Sequence, residues 1–386
     1  MLQPRTVALR RAVHRHPEIG LTLPATQSAV LRALDGLPLR VHTGTGLTSV
    51  VAVLDGGRPG PAVVLRGDMD ALPLTERTGL SFASEVDTAM HACGHDTHVA
   101  MLASAARLLC DRRDALAGHV IFMFQPGEEG PGGARIMLDE GLLQAAHTPV
   151  ASAFALHITS SNPSGVVLCR PGPMMASSDA FSVRVTGRGG HGGMPHDAID
   201  PVPAAAAMVG ALQTMIARRV PVTEPAVLTV GKITAGTTTN IIPGHAVLEG
   251  TIRTLGESTR GMVRKELRRV CEHTGAAYGC QVDVTITPGY PVTRNDDRIG
   301  PHVLDLAREV LGARHAEQMA APLMGAEDFA FVLREVPGAL AFLGAGPPGI
   351  DPADAAPNHS DHAVFDESAM EYGVVLYAAY ALDALR

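Results

Sequence analysis

The sequence is poor in aromatic residues and lacks the features that mark several protein classes. It has no Trp, and Phe, Tyr and Trp together make up 4% of its 386 residues, so a buried core must be built from Ala, Val, Leu, Ile and Met. Its net charge is −8 and it has no long run of Lys and Arg, which argues against a nucleic-acid-binding surface. Hydrophobic residues still amount to 46%, and the length favours two domains.

Secretion and membrane insertion are not indicated either. Residues 1–20 lack the apolar stretch of a secretory signal, and the most apolar helical stretch, 203–217, is too short and too interrupted to span a membrane. The cysteines are five and scattered, which does not suggest a disulfide framework. Cys110 and Cys271 lie in helical patterns and are interpreted as small core residues. We therefore expect a soluble, cytoplasmic protein.

Strands and helices alternate over the first 156 residues. Four apolar runs are predicted as strands, at residues 48–54, 62–66, 119–124 and 151–156. Continuous apolar strands separated by helices are typical of a mostly parallel sheet covered on both faces. The last three runs are followed by Asp68 and Asp70, by Glu128 and Glu129, and by His157. Ligands and catalytic groups lie at the carboxyl ends of strands in such sheets, so this pattern predicts a site there.

From about Phe181 the order changes to strand-helix-strand-strand-helix-strand. The predicted strands are 181–187, 226–235, 246–255 and 281–287, and the predicted helices are 199–219 and 259–273. This order is the ferredoxin-like arrangement, which forms a compact unit by itself. Helices resume afterwards, with a strand at 339–344. We therefore predict an α/β domain made of residues 1–177 and 289–386, interrupted by an inserted α+β domain at 178–288.

One short segment concentrates possible metal ligands. Residues 91–98 contain three His, one Cys and one Asp, directly before a predicted helix that Asp96 or Thr97 could cap. Thiolate and imidazole are good ligands for borderline-soft ions such as Zn²⁺, and a loop here could aim Cys93 and His95 at one ion. The alternatives are a reactive thiol beside a His and a polar loop without a function.

Two acidic segments follow predicted strands. Glu128 and Glu129 would repel each other in a site unless cations neutralise them, and one could bind metal while the other takes a proton from water. Asp68 and Asp70 follow another strand, where acids commonly orient a metal-binding His. The alternatives are a solvated acidic loop and simple turn formation. His359, in a polar loop near the end of the chain, is weak evidence alone.

Taken together, these segments resemble the dinuclear-metal amidohydrolases. That family includes aminoacylases, hippurate hydrolases, auxin-conjugate hydrolases and N-acetyldiaminopimelate deacetylase, and is related to zinc-dependent exopeptidases. The resemblance extends over essentially the whole chain, from HRHPEIG at 14–20 to NHSDHAVFDE at 358–367. The motifs between them are RGDMDALP, HACGHD, QPGEEG, GRGGHGGMPH, TNIIP, GTIRTL and GAEDF. The resemblance implies a zinc-exopeptidase-like catalytic domain and an inserted lid and dimerisation domain.

The resemblance also implies roles for the residues that match the family's motifs. The implied ligands of two divalent metal ions are Cys93, His95, Glu129, His157 and His359, with Cys93 as the bridge. Glu128 would be the general base and later the acid. His191 would stabilise the oxyanion in the neighbouring subunit of a homodimer.

Residues around the metal ions are implied in the same way. Asn240 and Arg253 would bind the substrate carboxylate, and Asp70 and Asp96 would support the ligands. This chain has Gly127 where the familiar motif has Ala, and the extra backbone freedom could loosen the carboxylate that follows.

These roles imply hydrolysis of an N-acyl amino acid, such as hippurate or an N-acetyl amino acid. Two ions about 3.5–4 Å apart would lower the pKa of a bridging water from 15.7 to roughly 7. Zn²⁺ or Mn²⁺ is expected, while Co²⁺ and Ni²⁺ are compatible with the ligands. An exopeptidase or dipeptidase with the same site is the main alternative. A thiol enzyme based on Cys93 and a metal-stabilised binding protein without turnover are further alternatives.

Overall fold

The computed structural model describes residues 2–386, which form two compact units. The first unit consists of the chain up to Met174 together with Arg294–Ala321 and Asp328–Arg386. The second unit consists of Met175–Thr293 and Pro322–Glu327. Among the described residues, no helix is both long enough and apolar enough to cross a membrane.

The secondary structure comprises sixteen strands and nine α-helices over the described residues. The strands are β1 (Leu39–Thr43), β2 (Val50–Asp55), β3 (Arg58–Asp68), β4 (Ala117–Gln125), β5 (Val150–Thr159), β6 (Val167–Cys169), β7 (Gly172–Met175), β8 (Asp179–Thr186), β9 (Gly190–His191), β10 (Ala226–Ala235), β11 (Ile241–Ile242), β12 (His245–Thr254), β13 (Gln281–Pro288), β14 (Thr293–Asn295), β15 (Ala316–Gln318) and β16 (Gly338–Gly344). The helices are α1 (Gln3–Arg15), α2 (Pro24–Leu34), α3 (His95–Cys110), α4 (Gly133–Asp139), α5 (Pro201–Arg219), α6 (Glu257–Ala277), α7 (Ile299–Leu311), α8 (Ala330–Glu335) and α9 (Ala369–Ala384).

The first unit is built on an eight-stranded sheet. Its order is β1-β2-β4-β3-β5-β16-β6-β15, and the neighbours β4, β3, β5 and β16 run parallel. Residues 63–65 of β3 and 120–124 of β4 are completely buried, which explains why they form continuous apolar runs in the sequence. The parallel centre confirms the predicted fold class and aligns the carboxyl ends of these strands.

Helices α3 and α9 pack against each other and against strands of this sheet. Helix α3 packs against β3 and β5, and α9 packs against α3. Tyr377 of α9 is completely buried. Its hydroxyl donates to the carbonyl of Arg66 at 2.6 Å and accepts from the amide of Leu156 at 3.1 Å. The carboxyl-terminal ends of β3 and β5 are thereby held at a fixed spacing.

The start of α3 differs from the prediction. The helix begins at His95, and neither Asp96 nor Thr97 is its cap, because Gly94 occupies that position with φ 82°. A Cβ atom at Gly94 would lie 2.4 Å from the side chain of Ile158. Only glycine therefore combines this backbone conformation with this close approach.

The sequence after the strand at 119–124 also predicts one continuous helix at 133–146, and this prediction is wrong in length. Helix α4 ends at Asp139, and a short 3₁₀ turn (Leu142–Gln144) follows. The break lies at Gly141, whose φ of 91° is not compatible with a continuing right-handed helix.

The second unit contains a four-stranded antiparallel sheet of order β10-β12-β8-β13. With α5 and α6 in the connections, this is the ferredoxin-like arrangement that the sequence predicts. Helix α5 begins at Pro201, two residues after the predicted start at 199, because the Asp200 side chain caps it by accepting from the amide of Val202 at 2.9 Å. Its apolar core includes Val183, Met208, Leu248 and Leu267.

Candidate metal centre

The five predicted ligands come together in the first unit. Cys93 precedes α3, His95 starts it, Glu129 follows β4, His157 lies near the end of β5, and His359 lies in the loop before α9. Their donor atoms form two groups that share Cys93, one with His95 and His157 and the other with Glu129 and His359, with all atoms of a group within 4.8 Å. The Cys93 Sγ is 3.4 Å from His157 Nε2 and 3.3 Å from His359 Nε2.

The polar atoms of this cluster fit a cation. Both ring nitrogens of His95 are buried and have no hydrogen-bond partner among the described residues. Oε1 of Glu129 is also buried, and it pairs with His359 Nε2 at 3.2 Å. The carboxylates nearest to the His95 ring, those of Asp68 and Asp70, are 3.6 Å away. Buried polar atoms without partners are costly, and thiolate, imidazole and carboxylate are the ligands of zinc-like ions. The donor set therefore fits divalent metal ions.

Hydrogen bonds fix which ring nitrogens face the cluster. His157 Nδ1 donates to the carbonyl of Ile158 at 2.8 Å, which leaves Nε2 as the ring nitrogen that faces Cys93. His98 differs, because its Nε2 accepts from the amide of Ile158 at 2.7 Å and its Nδ1 donates to Asp68. Both nitrogens of His98 are occupied, so it is not available as a ligand.

The charges in the cluster are coupled. Burial favours a neutral thiol, but neighbouring His157 and His95 hold the pKa of Cys93 well below its usual range. The contacts of His359 with Cys93 and Glu129 raise the pKa of its imidazole to about 10. A thiolate is the form that binds metal, and here it is balanced by cationic imidazoles, which metal ions would replace as the source of positive charge.

His359 has an unusual backbone. Its φ is 71°, a conformation that costs a non-glycine residue of order 1–3 kcal/mol and that clusters at functional sites. The amide of His359 donates to the carbonyl of Ala92 at 2.9 Å, and the side-chain amide of Asn358 donates to the carbonyls of Cys93 and Ile158 at 3.2 and 3.0 Å. These bonds join the loop of His359 to the backbone of the other ligands.

The loop that carries the two glutamates is held by its backbone. The amides of Glu128 and Glu129 donate to the two carboxylate oxygens of Asp70, both at 3.0 Å. Gly127 has φ 75°, and its carbonyl accepts from the amides at 132 and 133. The expectation that Gly127 loosens the next carboxylate is therefore wrong, because this loop uses a glycine conformation and is tied on both sides.

The carboxylate of Asp96 binds two residues of α1. Its Oδ2 accepts from Arg10 Nε at 2.7 Å and from His14 Nδ1 at 2.8 Å. Asp96 thus joins the start of α3 to α1, and none of these partners is a predicted ligand.

The remaining predicted residues belong to the second unit. His191 pairs with Ile241 across β9 and β11, and the amide at 192 donates to the carbonyl of Asn240 at 2.8 Å. His191 and Asn240 are therefore neighbours. Arg253 lies on β12, in a different sheet. Burial lowers the pKa of Arg253, with Asp179 acting in the opposite direction.

Two buried residues around the cluster, Arg66 and His98, were not assigned from the sequence. Both donate to Asp68, which the sequence offered as an acid that could orient a His, and all three are completely buried. The available signals were the polar residues at the end of the apolar run of β3 and the spacing of His98 three residues after His95, which places both on one face of α3.

Comparisons with known proteins identify the family of this chain. A sequence profile of peptidase family M20/M25/M40 matches residues 64–383. The chain is 38% identical over 380 residues to thermostable carboxypeptidase 1 of Saccharolobus solfataricus, covering 97% of this chain and 94% of that protein. It is 38% identical over 346 residues to N-acetylcysteine deacetylase of Bacillus subtilis, covering 88% of each.

The fold has counterparts among solved structures. The Bacillus subtilis YXEP protein, described as a dinuclear metal binding peptidase from the M20 family, superposes with a TM-score of 0.84 at 33% identity, covering 100% of this chain and 98% of that one. The predicted fold class and the predicted family resemblance are both confirmed. This chain belongs to peptidase family M20/M25/M40.

Proposed function

We propose that this protein is a metal-dependent amidohydrolase that splits N-acyl amino acids into an amino acid and a carboxylic acid. The observation that carries the proposal is the convergence of Cys93, His95, Glu129, His157 and His359, with the spare carboxylate of Glu128 beside them. Glu128 is buried, and its carboxylate lies within 4.8 Å of donor atoms of His95 and Glu129. Similarity to a deacetylase of N-acetylcysteine supports an N-acyl amino acid as the substrate.

The chemistry divides among the residues as follows. Two divalent ions held by the five ligands would acidify a water molecule and polarise the amide carbonyl. Glu128 accepts the proton of the attacking water and returns it to the leaving nitrogen. The backbone bond from Glu128 to Asp70 keeps this carboxylate beside the ligands during both transfers.

The residues of the second unit complete the proposal. His191 donates to the oxyanion in the site of the neighbouring subunit of the homodimer, a contribution of roughly 2.7–4 kcal/mol for one donor. Asn240 and Arg253 bind the carboxylate of the amino-acid part, which favours acyl amino acids over simple amides. We assign the first unit as the catalytic domain and the second as a lid through which two chains form a homodimer. We further propose that the enzyme is cytoplasmic and uses Zn²⁺ or Mn²⁺.

A second candidate function has its own support. The similarity to a carboxypeptidase favours an exopeptidase or dipeptidase with the same ligands and the same base. The two functions differ in the group on the acyl side of the bond, which is a simple acid in one case and an amino acid or peptide in the other.

A substrate panel separates the two candidates. Metal-free protein is reloaded with Zn²⁺, Mn²⁺, Co²⁺ or Ni²⁺ and assayed on acetyl-, benzoyl- and indoleacetyl-amino acids, with free dipeptides as the comparison. Hydrolysis of the acyl amino acids with little action on dipeptides supports the proposal. Hydrolysis of dipeptides alone selects the exopeptidase, and activity that survives complete metal removal contradicts both.

A further inference from the structure

The GAEDF segment has no part in the mechanism above, yet Asp328 within it is completely buried. Its carboxylate accepts hydrogen bonds from three directions. Gln125 Nε2 donates to both oxygens at 2.8 Å, the amide of Ala134 donates to Oδ2 at 2.9 Å, and Arg66 Nη2 donates to Oδ1 at 3.2 Å. All three partners are donors, so an ionised carboxylate is the group that satisfies them together.

Two of these donors lie at the two ends of one loop. Gln125 is the last residue of β4, and Ala134 lies in the first turn of α4. Residues 126–132 between them carry Glu128 and Glu129. Asp328 therefore bridges the ends of this loop, while Asp70 holds its middle.

The ends of the loop also pack closely. A Cβ atom at Gly133 would lie 1.7 Å from the carbonyl oxygen of Pro126, so the backbone at this point has no space for a side chain. A carboxylate oxygen of Asp328 lies within 4.8 Å of one of Glu128. A change in the carboxylate at 328 therefore affects the glutamates in two ways, through the bonds to the ends of the loop and through its closeness to Glu128.

Arg66 explains why the bridging group is charged. Arg66 is completely buried and donates to Asp68 and to Gln125 Oε1, the latter at 2.9 Å. Arg66, Asp328 and Gln125 bind one another, and Gln125 donates through its nitrogen to Asp328 and accepts through its oxygen from Arg66. The network fixes the orientation of the Gln125 amide as well as the loop.

From these contacts we infer that Asp328 is a positioning residue for the metal ligand Glu129 and the general base Glu128. It acts through the backbone of the loop and does not touch the substrate. The inference rests on the proposed function for the roles of the two glutamates, but the position of the loop can be measured without catalysis.

The experiment uses Asp328→Asn in the full-length protein. The amide keeps the shape but presents a donor to a set of donors, so one end of the loop is released. Affinity for Zn²⁺ and for Mn²⁺, measured by competition with a chromogenic chelator, and kcat are each expected to fall by roughly 10–100-fold, with KM little changed. Hydrogen exchange of residues 126–135 is expected to become faster in the metal-free variant.

Two further variants make the test specific. Asn295→Ala is the matched control, because Asn295 is a buried side chain of the same unit that binds the backbone of Leu340 at 2.8 and 2.9 Å. It is expected to lower thermal stability without changing metal affinity or exchange in the loop. Gln125→Glu combined with Asp328→Asn exchanges the acid and the amide, and this pair is expected to recover part of the metal affinity and kcat lost in Asp328→Asn.

The outcomes are distinct. Wild-type metal affinity and loop exchange in a folded Asp328→Asn protein overturn the inference. So does an exchanged pair that is no better than the single variant. If Asp328→Asn does not fold, the exchanged pair alone decides, since recovery of folding and metal affinity supports the bridge. Absence of turnover on every substrate, with altered metal affinity and exchange, would contradict the proposed function and leave the positioning role standing.

Discussion

Two buried clusters of histidine and carboxylate meet at the start of α3, and they differ in where their positive charge comes from. In the first, Asp96 binds Arg10 and His14, and Arg10 also binds Glu367 at 3.1 Å. We call this the Arg10 cluster. The second cluster consists of the five candidate ligands. Its single carboxylate is that of Glu129, and no Arg or Lys among the described residues pairs with it.

The difference separates a structural cluster from a site. Burying a carboxylate is costly unless a cation accompanies it, and the Arg10 cluster supplies that cation from the protein. Both clusters leave buried polar atoms without a hydrogen bond: both nitrogens of His95 and one oxygen of Glu129 in the ligand cluster, and Arg10 Nη2 and Asp96 Oδ1 in the Arg10 cluster. The distinction is that, over residues 2–386, no Arg accompanies the carboxylate of the ligand cluster. The same residue types therefore stabilise α1 against α3 on one side of a helix start, and prepare a place for metal ions on the other.

The largest expected effect comes from Glu128, which has no counterpart in the Arg10 cluster. Glu128→Ala removes the base but none of the five ligands, so kcat should fall by several orders of magnitude; general acid–base catalysis alone accounts for roughly 10²–10⁴-fold. Elemental analysis should still find the metal content of the unmodified protein. Glu129→Ala is the comparison, because it should lose metal as well as activity. Full activity in Glu128→Ala would falsify the assignment of the base.

Substitutions in the Arg10 cluster should lower the stability of the protein and leave its metal affinity unchanged. Arg10→Met leaves the buried Asp96 without its strongest partner, which should lower the free energy of unfolding by about 3–5 kcal/mol. Denaturant unfolding measures this change, and metal affinity of the folded fraction should be unaltered. Arg40→Met is the control, because Arg40 pairs with the exposed Asp55 at 3.0 Å and such surface pairs contribute about 0–1 kcal/mol. Loss of metal binding in Arg10→Met would mean that the two clusters are not separate.

His14 gives the Arg10 cluster a pH dependence. Burial lowers the pKa of His14, but Asp96 and Glu76 outweigh it and raise the pKa to about 9. A raised pKa in the folded protein stabilises it below the unfolded value near 6.5, and this contribution disappears as the pH rises through 9. The shift corresponds to about 3 kcal/mol.

The measurement is the free energy of unfolding from pH 6 to pH 10 for the wild-type protein and His14→Gln, both without metal. The stability difference between the two should shrink across pH 6.5–9. A constant difference over that range would exclude a charged His14.

The sequence predicted the fold and the ligands for reasons that can be named. Continuous apolar runs identify the central strands because both faces of β3, β4 and β5 are buried, and a strand's end marks where its polar neighbours point. The motif order supplied His157 and His359, which spacing alone could not connect to Cys93 across more than sixty residues.

Other features could not be read from local patterns. Asp96 looked like a cap because caps are common before helices, but its partner Arg10 is 86 residues away in the chain. Asp328 lies in the GAEDF motif, but its role does not follow from that motif, since its partners are the distant Arg66, Gln125 and a backbone amide at 134. Both roles depend on tertiary contacts, and a single sequence carries no signal for them.

The smallest expected effect tests the loop that the sequence analysis misjudged. Gly127→Ala places a side chain at φ 75°, and its Cβ would lie 2.5 Å from Leu21 Cδ2. The backbone conformation alone costs about 1–2 kcal/mol. Gly36→Ala is the matched control, because Gly36 has φ 71° and no atom within 4 Å of the added Cβ.

The contact with Leu21 can be separated from the backbone cost. Gly127→Ala should destabilise the protein more than Gly36→Ala does, and combining it with Leu21→Ala should remove that excess once the cost of Leu21→Ala itself is subtracted. Because Glu128 follows directly, kcat should fall in Gly127→Ala and not in Gly36→Ala. If the two alanine variants are equally stable and equally active, Leu21 does not constrain the loop. The position of Glu128 must then be fixed by Asp70 and Asp328 alone.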